Sequence, residues 1–167
     1  MTDTLNKMSS LMRHLTWIIA LVLLTIIFNN WVKHQYNPNS NLAIGQSNEP
    51  VVLERNRQGH YVATGLIEGE PVVFLLDTGA TNISVPQPVA QRIGLDPGDK
   101  VRVGTANGSI SVFRTELESV QLGGIEMRDV AAHINPFMEG NTVLLGMSFL
   151  KHLELRQTNG VLELRVP

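Results

Sequence analysis

The chain has 167 residues, 43% of them hydrophobic and 17% charged, which suffices for one domain with its own core and a short appendage but not for two full catalytic lobes. Its formal net charge of -2, without a long basic run, excludes a broad electrostatic footprint for nucleic acid. It has no cysteine, and so no disulfide, thiolate metal site or thiol nucleophile.

The N-terminal appendage reads as a membrane segment. Leu15 to Phe28 is apolar apart from two threonines, and the run reaches Val32 once Asn29 and Asn30 are admitted at its boundary. A helix of that length, rising about 1.5 Å per residue, spans roughly 27 Å, close to the thickness of a hydrocarbon core. Trp17 and Trp31 stand near its two ends, where an aromatic belt places them. A cleaved signal peptide has a similar apolar run, but the first small-x-small site, Ala43-Ile44-Gly45, lies far beyond it. The expectation is a tail over residues 1–14, a single transmembrane anchor over 15–32 and a linker over 33–50, rich in Asn, Ser and Pro. Lys7 and Arg13 before the span outnumber Lys33 after it, which puts the N-terminus in the cytoplasm and the rest outside.

From Val51 onward the chain punctuates itself into short strands. Val51 to Arg55, His60 to Ile67 and Pro71 to Leu76 are separated by the turns Asn56-Arg57-Gln58-Gly59 and Glu68-Gly69-Glu70. Pro86 to Ile93 has proline in its opening turn and Gly94 as a stop, which predicts a helix. Lys100 to Val103 and Ser109 to Val112 flank Asn107-Gly108, a dipeptide typical of type I′ hairpins. Leu117 to Leu122 and Ile125 to Asn135 flank Gly123-Gly124. Thr142 to Leu145, a short helix over Ser148 to His152, and a final hairpin of Leu153 to Gln157 with Val161 to Val166 complete an all-β domain over 51–167 with one or two short helices.

The chemistry sits in Asp77-Thr78-Gly79-Ala80, delivered by the apolar run Val72-Val73-Phe74-Leu75-Leu76. Together with the Asn107-Gly108 hairpin some thirty residues later and Val143-Leu144-Leu145-Gly146 before a short helix, this pattern resembles the retropepsin family of aspartic proteases. Leu144-Leu145-Gly146-Met147-Ser148-Phe149-Leu150 is similar to bacterial membrane-anchored members of that clan, and the likeness covers Val51 to Pro167. The resemblance implies a retropepsin-like acid protease barrel, one lobe per chain. It assigns Asp77 as the catalytic residue and Thr78, Gly79 and Ala80 as the active-site loop, with the Thr78 hydroxyl clamping the opposite loop. Thr105, Ala106, Asn107 and Gly108 become the flap over a peptide or protein substrate, within a hairpin spanning 104–110. Thr81 stands where retroviral members often carry a second aspartate. No cofactor or metal is implied.

Peptide hydrolysis without a covalent intermediate needs a base to activate water and an acid to protonate the carbonyl oxygen and the leaving amine. Two adjacent carboxylates that share one proton supply both, since like charges so close cannot both ionise; aspartic proteases are the standard instance. Gly79 lets backbone approach the carboxylate and offers its amide to the charged form. The chain has one Asp-Thr-Gly. Asp96 and Asp99 flank a Pro97-Gly98 turn, and Asp129, following Arg128, reads as a surface ion-pair former. The second carboxylate therefore comes from another chain, and a symmetric homodimer with Asp77 on its twofold axis is the economical solution. By the family's terminal-strand arrangement, Val51 to Leu53 and Leu162 to Val166 are the expected interface. Gly146 is expected behind the catalytic loop, where a side chain would crowd it.

Other chemistries do not assemble. The five histidines lack metal-site spacing, the serines lack a nucleophile elbow, and Gly123-Gly124 lacks the helix and Lys-Ser/Thr of a phosphate loop. The expected activity is that of a single-pass membrane aspartic endopeptidase acting as a homodimer; its bacterial relatives imply an inner membrane with the protease domain on the periplasmic side. The alternative is an inactive module of the same fold that binds peptides or assembles at the membrane.

Overall fold

Residues Thr2–Tyr36 form one helix, α1. The computed structural model describes residues 2–43, 49–105 and 108–167, with side chains from residue 12 onward. The chain divides into two units, residues 1–36 and 37–167. Within α1, Met12–Tyr36 is a 25-residue stretch of mean hydropathy 2.0, none of it buried against protein. At 1.5 Å per residue it extends roughly 37 Å, long enough to cross a bilayer. Large apolar side chains at Ile18, Ile19, Leu21, Leu23 and Leu24 point outward on every face, which distinguishes it from an amphipathic surface helix. The hydroxyls of Thr16 and Thr25 are satisfied internally, Thr16 Oγ1 donating to the Met12 carbonyl at 2.9 Å and Thr25 Oγ1 to that of Leu21 at 2.8 Å. Such internal pairing is what an apolar surrounding requires. The helix runs four residues past the expected boundary at Val32, because nothing in Lys33 to Tyr36 breaks it.

The second unit is built from β1 (Val51–Glu54), β2 (Val62–Ile67), β3 (Glu70–Leu76), β4 (Ile83–Pro86), α2 (Gln87–Ile93), β5 (Lys100–Thr105), β6 (Gly108–Leu122), β7 (Ile125–Asn135), β8 (Thr142–Leu145), α3 (Met147–Leu150), β9 (Glu154–Thr158) and β10 (Val161–Arg165). Seven strands lie in the order β2-β3-β8-β4-β7-β6-β5, and a further β2–β6 pairing closes six of them into a barrel. Closure needs Gly65: a β-carbon there would strike the Gln121 carbonyl oxygen of β6 and the Phe74 ring. Phe74, Ile83, Leu117, Leu122, Leu145 and Phe149 fill the interior, all fully buried. The fold is the expected retropepsin-like, mainly β barrel with short helices.

Two elements differ from expectation. Ile83–Pro86 forms β4, although its proline reads as a helix opening; parallel pairing with β7 and a contact with β8 hold the four residues extended. The two short strands expected between Ser109 and Leu122 are one 15-residue strand. Its first part pairs with β5, its remainder with β7 and its end with β2, so Arg114 and Glu116 ride on exposed positions of a continuous ladder. Asp129 sits at a left-handed backbone position, φ 54°, where the β6–β7 ladder skips one pair, opposite Glu118, and resumes in the same register. Arg128 pairs with Glu126, at 3.3 Å, rather than with its neighbour Asp129.

A separate sheet of order β1-β10-β9 joins the two ends of this unit. β10, expected at a dimer seam, has both of its ladder edges occupied within its own chain. Residues expected to be linker also pack. Asn37 and Asn39 are buried, and the Asn39 amide donates to the carbonyls of Glu54 (2.9 Å) and Val62 (2.7 Å) while accepting from Glu54 N–H (2.8 Å). The Asn39 carbonyl accepts from Thr64 N–H, and Asn37 Nδ2 donates to Thr64 Oγ1 at 3.0 Å.

Candidate active site

The apolar run before Asp77 is β3, whose alternate residues Val72 and Phe74 enter the core. β3 lies parallel to β8 in the register Phe74↔Val143, Leu75↔Leu144 and Leu76↔Leu145. The strand pair therefore delivers Asp77 and Gly146 to the same end of the sheet. Asp77 N–H donates to the Leu145 carbonyl at 3.1 Å, and the turn closes through Ala80 N–H to the Asp77 carbonyl at 3.2 Å. Gly79 N–H donates to Asp77 Oδ1 at 2.9 Å, which fixes the carboxylate's rotamer from within its own loop. Asp77 is half-buried, while Thr78 and Gly79 are exposed at the loop's apex.

The following segment locks the loop from behind. Met147 N–H donates to the Ala80 carbonyl and Ser148 N–H to that of Thr81, both at 2.8 Å, and Ser148 Oγ accepts from Ile83 N–H at 3.0 Å. These bonds bring the two backbones so close that a β-carbon on Gly146 would meet the Asn82 carbonyl oxygen and lie 2.7 Å from that of Ala80. The crowding expected of Gly146 is thus present, with backbone atoms as the obstacle. Ser148, which has no place as a nucleophile, positions the start of β4. Its place just after Leu-Leu-Gly was the available signal, since a serine at a helix start readily binds nearby backbone.

At the far side of the sheet the β5–β6 hairpin carries Thr105 and Gly108, which face each other in the ladder. Thr105 Oγ1 donates to the Gly108 carbonyl at 2.8 Å, and Gly108 has φ 113°. Gly108 thus belongs to the strand rather than to the centre of the turn; Ala106 and Asn107 lie outside the described residues. Asn82, five residues beyond Asp77, meets His133 of β7 with Nδ2 3.4 Å from the ring Nε2. Burial, and secondarily the Arg114 guanidinium, hold the His133 pKa below its ordinary value, so the ring is neutral near pH 7 and Nε2 can accept. Sequence reasoning passed over this pair because fifty-one residues separate its members.

A closed six-strand barrel that presents an aspartate on a glycine turn, backed by a hydrophobic-hydrophobic-glycine strand, defines the aspartic protease class of fold. Residues 63–152 match the family model described as "gag-polyprotein putative aspartyl protease", and the chain belongs to that family. It is similar to the crystal structure of a retropepsin-like aspartic protease from Rickettsia conorii, with a TM-score of 0.62 and 29% identity over 70% of this chain and 90% of that one. Among curated proteins, one encoded in the cobV 5′ region of Sinorhizobium sp is 36% identical over 115 residues, 67% of this chain and 49% of the relative. Another, from Rickettsia prowazekii (strain Madrid E), is 29% identical over 110 residues, 62% of this chain and 46% of the relative. The chain spans about half the length of these curated relatives.

Proposed function

We propose that this chain is an aspartic endopeptidase that acts as a homodimer, with Asp77 of each protomer forming a two-carboxylate site. The observation that carries the reading is the single Asp77, held by the Gly79 amide at a half-exposed loop apex beside Thr78. One carboxylate cannot be base and acid at once; a twofold axis through the loop apex supplies the partner and lets one shared proton alternate between roles. Water between the carboxylates is deprotonated as it attacks the peptide carbon, the carbonyl oxygen takes the shared proton, and the leaving amine receives a proton as the tetrahedral species collapses. Thr78 clamps the facing loop, Ala80 and Gly79 shape the turn, and the hairpin bearing Thr105, Ala106, Asn107 and Gly108 closes over the extended substrate.

Association has free edges to use. β9 is exposed along its whole length, and Val52, Leu155 and Val166 are large apolar side chains left outside the core. Strand addition at β9, or at β1 around Val52, leaves the β1-β10-β9 ladder intact. α1 serves as a single-pass anchor of a bacterial inner membrane with residues 37–167 on the periplasmic side, and confinement to one membrane raises the effective concentration for pairing.

The test is hydrolysis of a peptide library by the full chain in detergent, from acidic to neutral pH, with Asp77→Asn alongside. Cleavage by the wild type and its loss in the variant is the expected result. A folded, dimeric wild type that cleaves nothing removes the enzymatic reading, and peptide binding that persists in both proteins would then mark a binding module.

A further inference from the structure

We propose that the cavity between the β5–β6 hairpin and Asn82 is a subsite for an acidic side chain of an extended peptide. The inference rests on the peptidase reading for the peptide, but the charge preference is carried by the cavity itself. It is a half-open hollow of about 430 Å³, and its nine lining residues include Arg102, Arg114 and His133 but no acid. Asn82 and Thr115 add neutral hydrogen-bonding groups.

Three observations aim this positive site at a ligand. First, among the described residues the ion pairs are Arg128–Glu126 and Arg165–Glu163, so Arg102 and Arg114 carry no carboxylate partner of their own. The nearest acids in the chain path, Asp96 and Asp99, meet β6 through their backbone carbonyls, at Thr115 Oγ1 and Arg114 N–H. Glu116, two residues along β6 from Arg114 and opposite the lining residue Ala131, borders the cavity without lining it. Second, Arg114 lies directly opposite His133 in the β6–β7 register, close enough that, after burial, its guanidinium is the second cause holding that imidazole's pKa down. Third, the cavity shares the catalytic end of the sheet. β8 is parallel to β3, and β4 runs antiparallel to β8 with Ser84↔Leu144, so Asn82, just before β4, lies at the end that carries Asp77. A peptide crossing Asp77 beneath the hairpin would pass this cavity.

A guanidinium fork matches a carboxylate in geometry as well as charge, whereas a glutamine of the same shape forfeits the charge and a lysine is repelled. Both arginines are exposed, so the preference is moderate and salt-sensitive.

The experiment uses the full chain carrying Asp77→Asn, in detergent at neutral pH, and measures binding of fluorescent octapeptide mixtures with Glu, Gln or Lys fixed at each position in turn. Glu is expected to bind about five- to tenfold more tightly than Gln at one position, with Lys weakest, and the ratio should shrink as salt rises. Arg114→Gln in the same background should bring the ratio to within about twofold, and Arg114→Lys should restore part of it. Should Arg114→Gln fail to fold by circular dichroism, Arg102→Gln is read in its place. Equal binding of Glu and Gln at every position, a ratio unmoved by the arginine variants, or no binding of any mixture overturns the inference. Cleavage of the same mixtures by wild type separates the two readings: Glu preference without hydrolysis sustains the subsite and removes the peptidase, while hydrolysis without Glu preference does the reverse.

Discussion

Asn39 satisfies with one side chain what a neighbouring strand would otherwise have to satisfy. Its amide bridges Glu54 N–H, Glu54 C=O and Val62 C=O, in a position that is only 6% exposed. Asn39→Ala removes all three bonds and leaves buried backbone groups without partners, which costs on the order of 2–4 kcal/mol. Thermal unfolding of the full chain should register this as a loss of several degrees, whereas Asn141→Ala, which truncates an exposed amide, should leave the midpoint within error. His133 is the other residue with a distinct signature. Its pKa in the fold lies below the value near 6.5 of the unfolded chain, so the unfolded state binds its proton first as pH falls. Its contribution to stability is complete above about pH 6.5 and is lost as pH descends through the lower folded value. His133→Asn should therefore flatten the decline of the unfolding midpoint below pH 6.5, and an unchanged slope would show that burial of this ring is not what the acid limb reports.

Among the elements, the Asp77 loop and the β8–α3 junction form one device. Leu145, Met147 and Ser148 receive or supply bonds to Asp77, Ala80, Thr81 and Ile83, and Gly146 permits the approach. Gly146→Ala should cost about 1–3 kcal/mol through contact with the Ala80 and Asn82 carbonyls, and it should reduce peptide cleavage beyond what lost stability explains, because the loop carrying Asp77 must shift. A variant that is destabilised yet cleaves at wild-type rate below its unfolding midpoint would contradict this coupling. The same junction explains how much could be read in advance. Asp-Thr-Gly-Ala after five apolar residues and Leu-Leu-Gly before a helix are local patterns, and both motifs and most strands were legible. β4 was not, since four residues ending in proline carry no period; their extended form is imposed by β7 and β8. Nor was the packing of Asn37 and Asn39, because polar composition signals a linker unless its amides happen to meet strand edges. The Asn82–His133 contact and the Arg114 cavity depend on barrel closure and leave no trace in local sequence.

For the whole molecule the decisive quantity is how many chains make one active site. The barrel carries one Asp77 loop, so under the proposed two-carboxylate mechanism activity is expected to respond to the fraction of competent partners rather than to the number of competent chains. Full-length wild type and Asp77→Asn, mixed in equal amounts in detergent before reconstitution into vesicles, distribute at random between homodimers and mixed dimers. With total chain held constant, wild-type pairs make up about one quarter of the dimers, and peptide cleavage should fall to about one quarter of the undiluted value. A chain that cleaves alone would retain about one half under the same dilution. Reconstituting the two proteins in separate vesicles and then combining them forbids exchange and should give about one half in either case, which calibrates the measurement. The separation between one quarter and one half is what ties Asp77 of one chain to Asp77 of another, and a value of one half in the premixed sample would return the missing acid to the chain itself.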